Sequence, residues 1–171
     1  MTVHKQVSRF IPAALALFAC CAGTYSPPRI QKQVIDIQFD AKKDDLYKAT
    51  LLVLRKQGYR FSFADFDEGR ITTRPRTMKL TDKDCDCGTA MGMLFASDRN
   101  TSTDVSYFLI ARDNQLSIRS IIQGQYVASD TSMVKRFECV SRGAIEKDLA
   151  KKIKGELAAI ASEPPAETSR Q

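Results

Sequence analysis

Two alternating runs joined by a turn constrain this chain more than any other feature of it. Val105, Tyr107, Leu109 and Ala111 occupy every second position, Asp113-Asn114 interrupts, and Gln115 to Tyr126 alternates again through Leu116 and Ile118. Successive side chains of a strand point to opposite faces, so each run has one apolar and one polar face. The turn residues between them predict an antiparallel hairpin. Its apolar face has to be covered by other elements.

The flanking segments supply candidates. Ile35, Ile37 and Phe39 alternate after Val34 and predict a strand. Asp40 then suits a helix N-cap, and Asp44 and Asp45 favour the positive end of the helix that follows. Tyr47, Leu51 and Leu54 are spaced i, i+4, i+7, Leu46 and Val53 widen the stripe, and Gly58 supplies the stop. Tyr59, Phe61 and Phe63 alternate with Arg60 and Ser62, predicting a strand with an aromatic inner face. Asp67-Glu68-Gly69 turns the chain, and Arg70 to Arg74 returns as a shorter strand. Residues 76–103 hold two cysteines and one apolar patch (Met91, Met93, Leu94, Phe95) and read as a loop with a short strand or turn. Phe137 to Val140 leads into a last helix, where Gly143 and Glu146 resemble a capping box without its hydroxyl. There Ile145, Leu149, Ile153 and Leu157 recur every four residues. The expected class is α+β: an antiparallel sheet with an N-terminal and a long C-terminal amphipathic helix packed on one face. It occupies residues 34–161 as a single domain without internal repeats, and 162–171, with Pro164-Pro165, reads as a disordered tail.

The run from Leu46 through Leu54-Arg55-Lys56-Gln57-Gly58-Tyr59, followed by Asp67-Glu68-Gly69-Arg70-Ile71-Thr72, resembles the domains of the BamC-type envelope lipoproteins. By element order the resemblance extends over residues 34–160, and it implies a helix-grip fold, a sheet gripping a long helix. The chain departs from that family in having one such domain. It also lacks the long irregular N-terminal segment through which that lipoprotein engages its barrel-assembly partner. The resemblance therefore implies the fold and not the assembly role.

The first residues belong to export. His4, Lys5 and Arg9 form a basic region, and Phe10 to Cys20 is an apolar run too short to cross a bilayer as a permanent helix. Leu17-Phe18-Ala19-Cys20 resembles the bacterial lipobox. The resemblance implies cleavage before Cys20, removal of residues 1–19 as a signal peptide, and acylation of Cys20 by diacylglycerol and an N-linked chain such as palmitate. Phe18 is bulkier than the usual residue there, and Phe18-Ala19-Cys20-Cys21 is an alternative register. A plain signal cut near Ala22 or Gly23 is the unlipidated alternative. Several acyl chains anchor durably where one is marginal. Cys21 is not the aspartate linked by the same resemblance to inner-membrane retention, which favours the outer membrane. Residues 20–33, with Ser26-Pro27-Pro28, read as a lipidated tether lifting the domain off the bilayer.

Cleavage removes Lys5 and Arg9 and no acid, lowering the formal charge from +6 to +4. Lys and Arg are scattered, so nucleic acid is not an expected partner. It also removes His4, the only histidine, from a chain that has no tryptophan. Ser-His-Asp and Cys-His pairs and histidine zinc sites are excluded with it. No Gly-x-Ser-x-Gly elbow is present, and Gly88 and Gly92 lack the Lys-Ser/Thr of a phosphate loop. The acids at Asp65, Asp67 and Glu68 and at Asp82 and Asp84 read as solvated turn residues, with a glycosidase-like pair the less favoured alternative.

Cysteine is the remaining chemistry. Cys85, Cys87 and Cys139 would face an oxidising compartment. A structural disulfide from Cys139 to one of the pair is the favoured reading, against a soft-metal site of three thiolates and a redox Cys-x-Cys. Cys87 is the preferred partner because Gly88 lets backbone approach closely, and Cys85 is the alternative. No cofactor or metal is expected. These features predict a lipid-anchored, non-catalytic, periplasm-facing component of the cell envelope, with the membrane and another envelope protein as partners. The alternatives are a carrier of small apolar ligands or lipid, using a cavity beside Tyr59, Phe61, Phe63 and Tyr107, or a thiol-based redox or metal protein.

Overall fold

The alternating segment around Asp113-Asn114 is the centre of the molecule. A computed structural model describes residues 25–90, 92–128 and 134–162. In chain order the strands are β1 (Tyr25–Ser26), β2 (Ile35–Gln38), β3 (Phe61–Asp65), β4 (Arg70–Thr73), β5 (Arg76–Met78), β6 (Cys85–Asp86), β7 (Thr89–Ala90), β8 (Met93–Leu94), β9 (Thr101–Arg112), β10 (Gln115–Val127) and β11 (Val134–Ser141). The helices are α1 (Lys43–Lys56) and α2 (Ala144–Ser162), with one 3-10 turn at Phe95–Ser97.

β9 and β10 are 12 and 13 residues long, about twice an ordinary strand, and shorter strands line up end to end along each side. Beyond β9, β4 covers Phe108 to Ile110 and β5 covers Thr103 to Val105. Beyond β10, β2 covers Gln115 to Ile118 and β11 covers Ile122 to Val127. β3 and β6 close the edges of this eight-stranded antiparallel sheet, and β1, β7 and β8 form a separate three-stranded sheet. Asn114 takes the left-handed conformation the tight turn requires, at φ 60°.

One face of the large sheet carries the core. Val105, Tyr107, Leu109 and Ala111 of β9 and Leu116, Ile118 and Ile122 of β10 are buried there. α1 and α2 lie against each other, joined at their edge by Lys56–Glu156 at 2.7 Å, and contact β9 and β10 respectively. Leu46, Val53 and Leu54 of α1 and Leu149 and Ile153 of α2 are the buried helical side chains that meet this face. At the other end of β10 and β11 the cover includes the 3-10 turn that follows the small sheet: Phe95 packs on Tyr126 and Phe137 at centroid distances of 5.4 and 4.7 Å.

This overturns the helix-grip expectation. The molecule is mostly antiparallel sheet with helices of 14 and 19 residues side by side, so no single long helix is gripped along the sheet. Residues 76–103 are more than the expected loop: they hold β5 to β8 and the 3-10 turn, with β5 and β6 joining the large sheet.

Smaller expectations are corrected as well. α1 is preceded by Lys42 with no side-chain cap, and the cap comes from far away: Lys43 N donates to Asp113 Oδ1 of the β9–β10 turn at 2.9 Å. Asp40 takes no part in it. A bulge in β3 between Phe61 and Phe63 turns Phe63 outward, leaving it 45% exposed, so the aromatic inner face stops at Tyr59 and Phe61. Glu146 is no capping residue; it is buried and accepts from Ser141 Oγ at 2.7 Å and from Ser120 Oγ. Ser162 ends α2, and the rest of the expected tail lies outside the described residues, as do residues 1–24.

Candidate functional site

The three cysteines converge where β6 joins the large sheet. β6 pairs with the end of β11, setting Cys85 opposite Ser141 and Asp86 opposite Val140. Two residues earlier in β11, Cys139 stands opposite Ile122 on the covered face. Cys87 follows β6 directly and forms the disulfide with Cys139, the Cα atoms 4.1 Å apart. Cys87 is thus the partner, and Cys85 is the free thiol, buried with its sulfur 3.6 Å from that of Cys87.

The glycine argument for Cys87 holds in a different form. Gly88 sits at φ +75°, and a Cβ there would lie 2.3 Å from the Ser26 carbonyl oxygen and 3.0 Å from the Tyr25 ring. The backbone that approaches it is the N-terminal segment, not the disulfide partner.

All three sulfurs lie within 4.8 Å of one another, close enough for one soft ion if the disulfide were reduced. The surroundings favour a thiol over a thiolate. Burial pushes the Cys85 pKa up to about 12, the Asp84 and Asp86 carboxylates add to it, and Arg142 opposes it weakly. A buried thiol held this far above neutral pH is a poor nucleophile. The arrangement is a buried disulfide with a buried, protonated thiol beside it.

Around it Asp86 fastens three segments. Its carboxylate accepts from Arg29 N at 3.0 Å and from Gly88 N at 2.9 Å, and lies 3.9 Å from the Arg142 guanidinium. The N-terminal segment is therefore no free tether from residue 25 onward. Tyr25 and Ser26 pair with Ala90 and Thr89, the Tyr25 hydroxyl donates to the Cys87 carbonyl at 3.3 Å, and Lys32 reaches Glu138 at 2.5 Å. Lys135 sits over the Tyr25 ring, 4.5 Å from its centroid. A groove of about 480 Å³ runs beside this segment, between Pro27, Ile30 and β11.

The remaining sequence candidates are elsewhere. Tyr59 and Tyr107, two of the aromatics of the carrier alternative, are buried in edge-on contact at 5.3 Å. Burial raises both phenol pKa values, that of Tyr107 further. Asp65 and Glu68 are joined through the turn, Glu68 N donating to Asp65 Oδ1 at 2.9 Å; Asp84 accepts from Thr81 Oγ1 in its own turn, and Asp82 accepts from Ser97 Oγ of the 3-10 turn. Cys20 and Cys21 lie outside the described residues, and among those described no helix is long and apolar enough to cross a membrane. Sequence reasoning missed the Tyr25 latch and the buried Glu146. A tyrosine beside Pro27-Pro28 has no periodicity to reveal it, and a glutamate in an amphipathic helix reads as solvent-facing.

No family model matches the chain, and no curated protein matches it. Among solved structures it is similar to a TBP-like protein from Parabacteroides distasonis, at 14% identity and a TM-score of 0.45, covering 75% of this chain and 84% of that one. It is also similar to a DUF4468 family protein from Bacteroides ovatus, at 13% identity and a TM-score of 0.41, covering 82% of this chain and 92% of that one.

Proposed function

We propose that this protein is a lipid-anchored, non-catalytic component of the bacterial cell envelope, acylated at Cys20 and acting by docking rather than by chemistry. The observation that carries the reading is the Cys87–Cys139 disulfide, buried in the core beside an inert thiol. Structural disulfides persist in oxidising compartments, which agrees with the export signal and the lipobox-like Leu17-Phe18-Ala19-Cys20. The burial of Tyr59 and Tyr107 against each other supports docking over carriage of an apolar ligand. The outer membrane is the favoured address, with another envelope protein as partner. Cross-linking in intact envelopes followed by mass spectrometry tests this reading. Reproducible cross-links from the domain to one envelope protein are expected, and a protein recovered from the cytosol without links would overturn it.

A further inference from the structure

The latch at Tyr25 fixes how far the domain can stand from its anchor. From Cys20 to Tyr25 is five residues, which span at most about 18 Å even when fully extended. Tyr25 itself is held by strand pairing to Ala90, by the Cys87 carbonyl and by contacts with Phe95 and Phe137 at 5.9 and 6.2 Å. One end of the molecule therefore has to face the bilayer closely.

That end is apolar and basic. Ala90 lies between Tyr25 and Met93 in the small sheet, so Met93 shares the row from which the chain leaves toward Cys20. Met93 is 57% exposed, and Leu94 beside it is exposed too. Across Phe95 and Tyr126 the rim continues onto the large sheet, where Val127 pairs with Val134, both exposed. Lys135 and Arg136 follow directly, both exposed. Apolar side chains flanked by cations at one edge match a bilayer interface, where the apolar groups enter the acyl boundary and the cations meet anionic headgroups.

We propose that the rim formed by Met93, Leu94, Val127, Val134, Lys135 and Arg136 docks on the anionic phospholipid surface in which Cys20 is anchored, seating the domain flat rather than on a stalk. This rests on the anchoring proposed above.

The chain has no tryptophan, so one introduced at the rim is a sole reporter. The test uses the mature lipidated full chain with Met93→Trp or Val134→Trp, and with Phe63→Trp on the distant β3 edge as control. Leu94→Trp replaces either rim variant that does not fold. Each is reconstituted on vesicles of phosphatidylethanolamine and phosphatidylglycerol, some carrying acyl-chain bromine, and flotation is measured on the same samples. The expected result is a blue shift and bromolipid quenching at the rim and neither at Phe63→Trp. Adding Arg136→Glu to Val134→Trp should abolish most of that quenching. Flotation without rim quenching, or equal quenching at Phe63→Trp, overturns the docked rim and leaves the anchor standing. Failure to float overturns the anchor and the rim with it. A shift produced by solubilised envelope protein without vesicles assigns the rim to a protein partner and overturns the lipid surface.

Discussion

The Tyr25 hydroxyl donates to the carbonyl oxygen of Cys87 at 3.3 Å, so the N-terminal segment is fastened to a residue of the disulfide. Removing the hydroxyl alone, in Tyr25→Phe, is expected to cost about 0.5–1.5 kcal/mol, the net worth of one hydrogen bond. Tyr25→Ala also loses the ring contacts and should cost more. Denaturant unfolding measures both, and hydrogen exchange should rise at Thr89 and Ala90 in the alanine variant.

The bridge itself closes a loop with a sequence separation of 52. By the chain-entropy estimate its loss, in Cys139→Ser, should lower stability by on the order of 4 kcal/mol. That is comparable to the stability of a marginal domain. Non-reducing peptide mapping of the native protein should find the Cys87–Cys139 peptide pair and a Cys85 that alkylates only after unfolding.

Cys85 makes a second, pH-dependent prediction. Its folded pKa of about 12 lies above the ordinary thiol value of 9.0, so between those values the folded state holds a proton that the unfolded state has lost. The stability this thiol contributes is complete below about pH 9 and declines as pH rises toward 12. Wild type should therefore lose stability more steeply across that window than Cys85→Ala does, in paired urea titrations.

Gly124 is needed for space. A Cβ there would fall 2.1 Å from Cε2 of Phe137, in the strand directly opposite. Gly124→Ala should destabilise by about 1–3 kcal/mol through overpacking. Part of that loss should return in the double variant with Phe137→Leu, a coupling that a thermodynamic cycle measures.

Elements whose pattern is local could be read from the sequence. The β9–β10 hairpin, its Asp113-Asn114 turn, the stripe of α1 and the Gly58 stop all follow from alternation, helical spacing or a positive φ, and Gly58 has φ 79°. What escaped was fixed by distant partners. β6, β7 and β8 are two residues each and exist because β11, β1 and each other pair with them, which no periodicity over two residues can signal. The cap of α1 comes from Asp113, 70 positions from Lys43, and so Asp40 looked the better candidate only because it was adjacent. In the sulfur cluster, the three residue types and the pairing of Cys139 with Cys87 were legible. The raised pKa of Cys85 was not, since burial and the flanking Asp84 and Asp86 set it only once the chain is folded.

Leu149 and Ile153 are fully buried where α2 lies on the sheet, and Leu149→Ala or Ile153→Ala should each cost about 2–5 kcal/mol. Midpoints within error of the parent for both would mean that α2 does not pack.

Acylation at Cys20 is the claim on which the envelope reading stands, and labelling the wild type and Cys20→Ser with palmitate, followed by membrane fractionation, tests it most directly. The account predicts a labelled, membrane-bound wild type and an unlabelled variant that is either released from membranes or left as an uncut precursor. Unchanged labelling and unchanged membrane association in Cys20→Ser would contradict it.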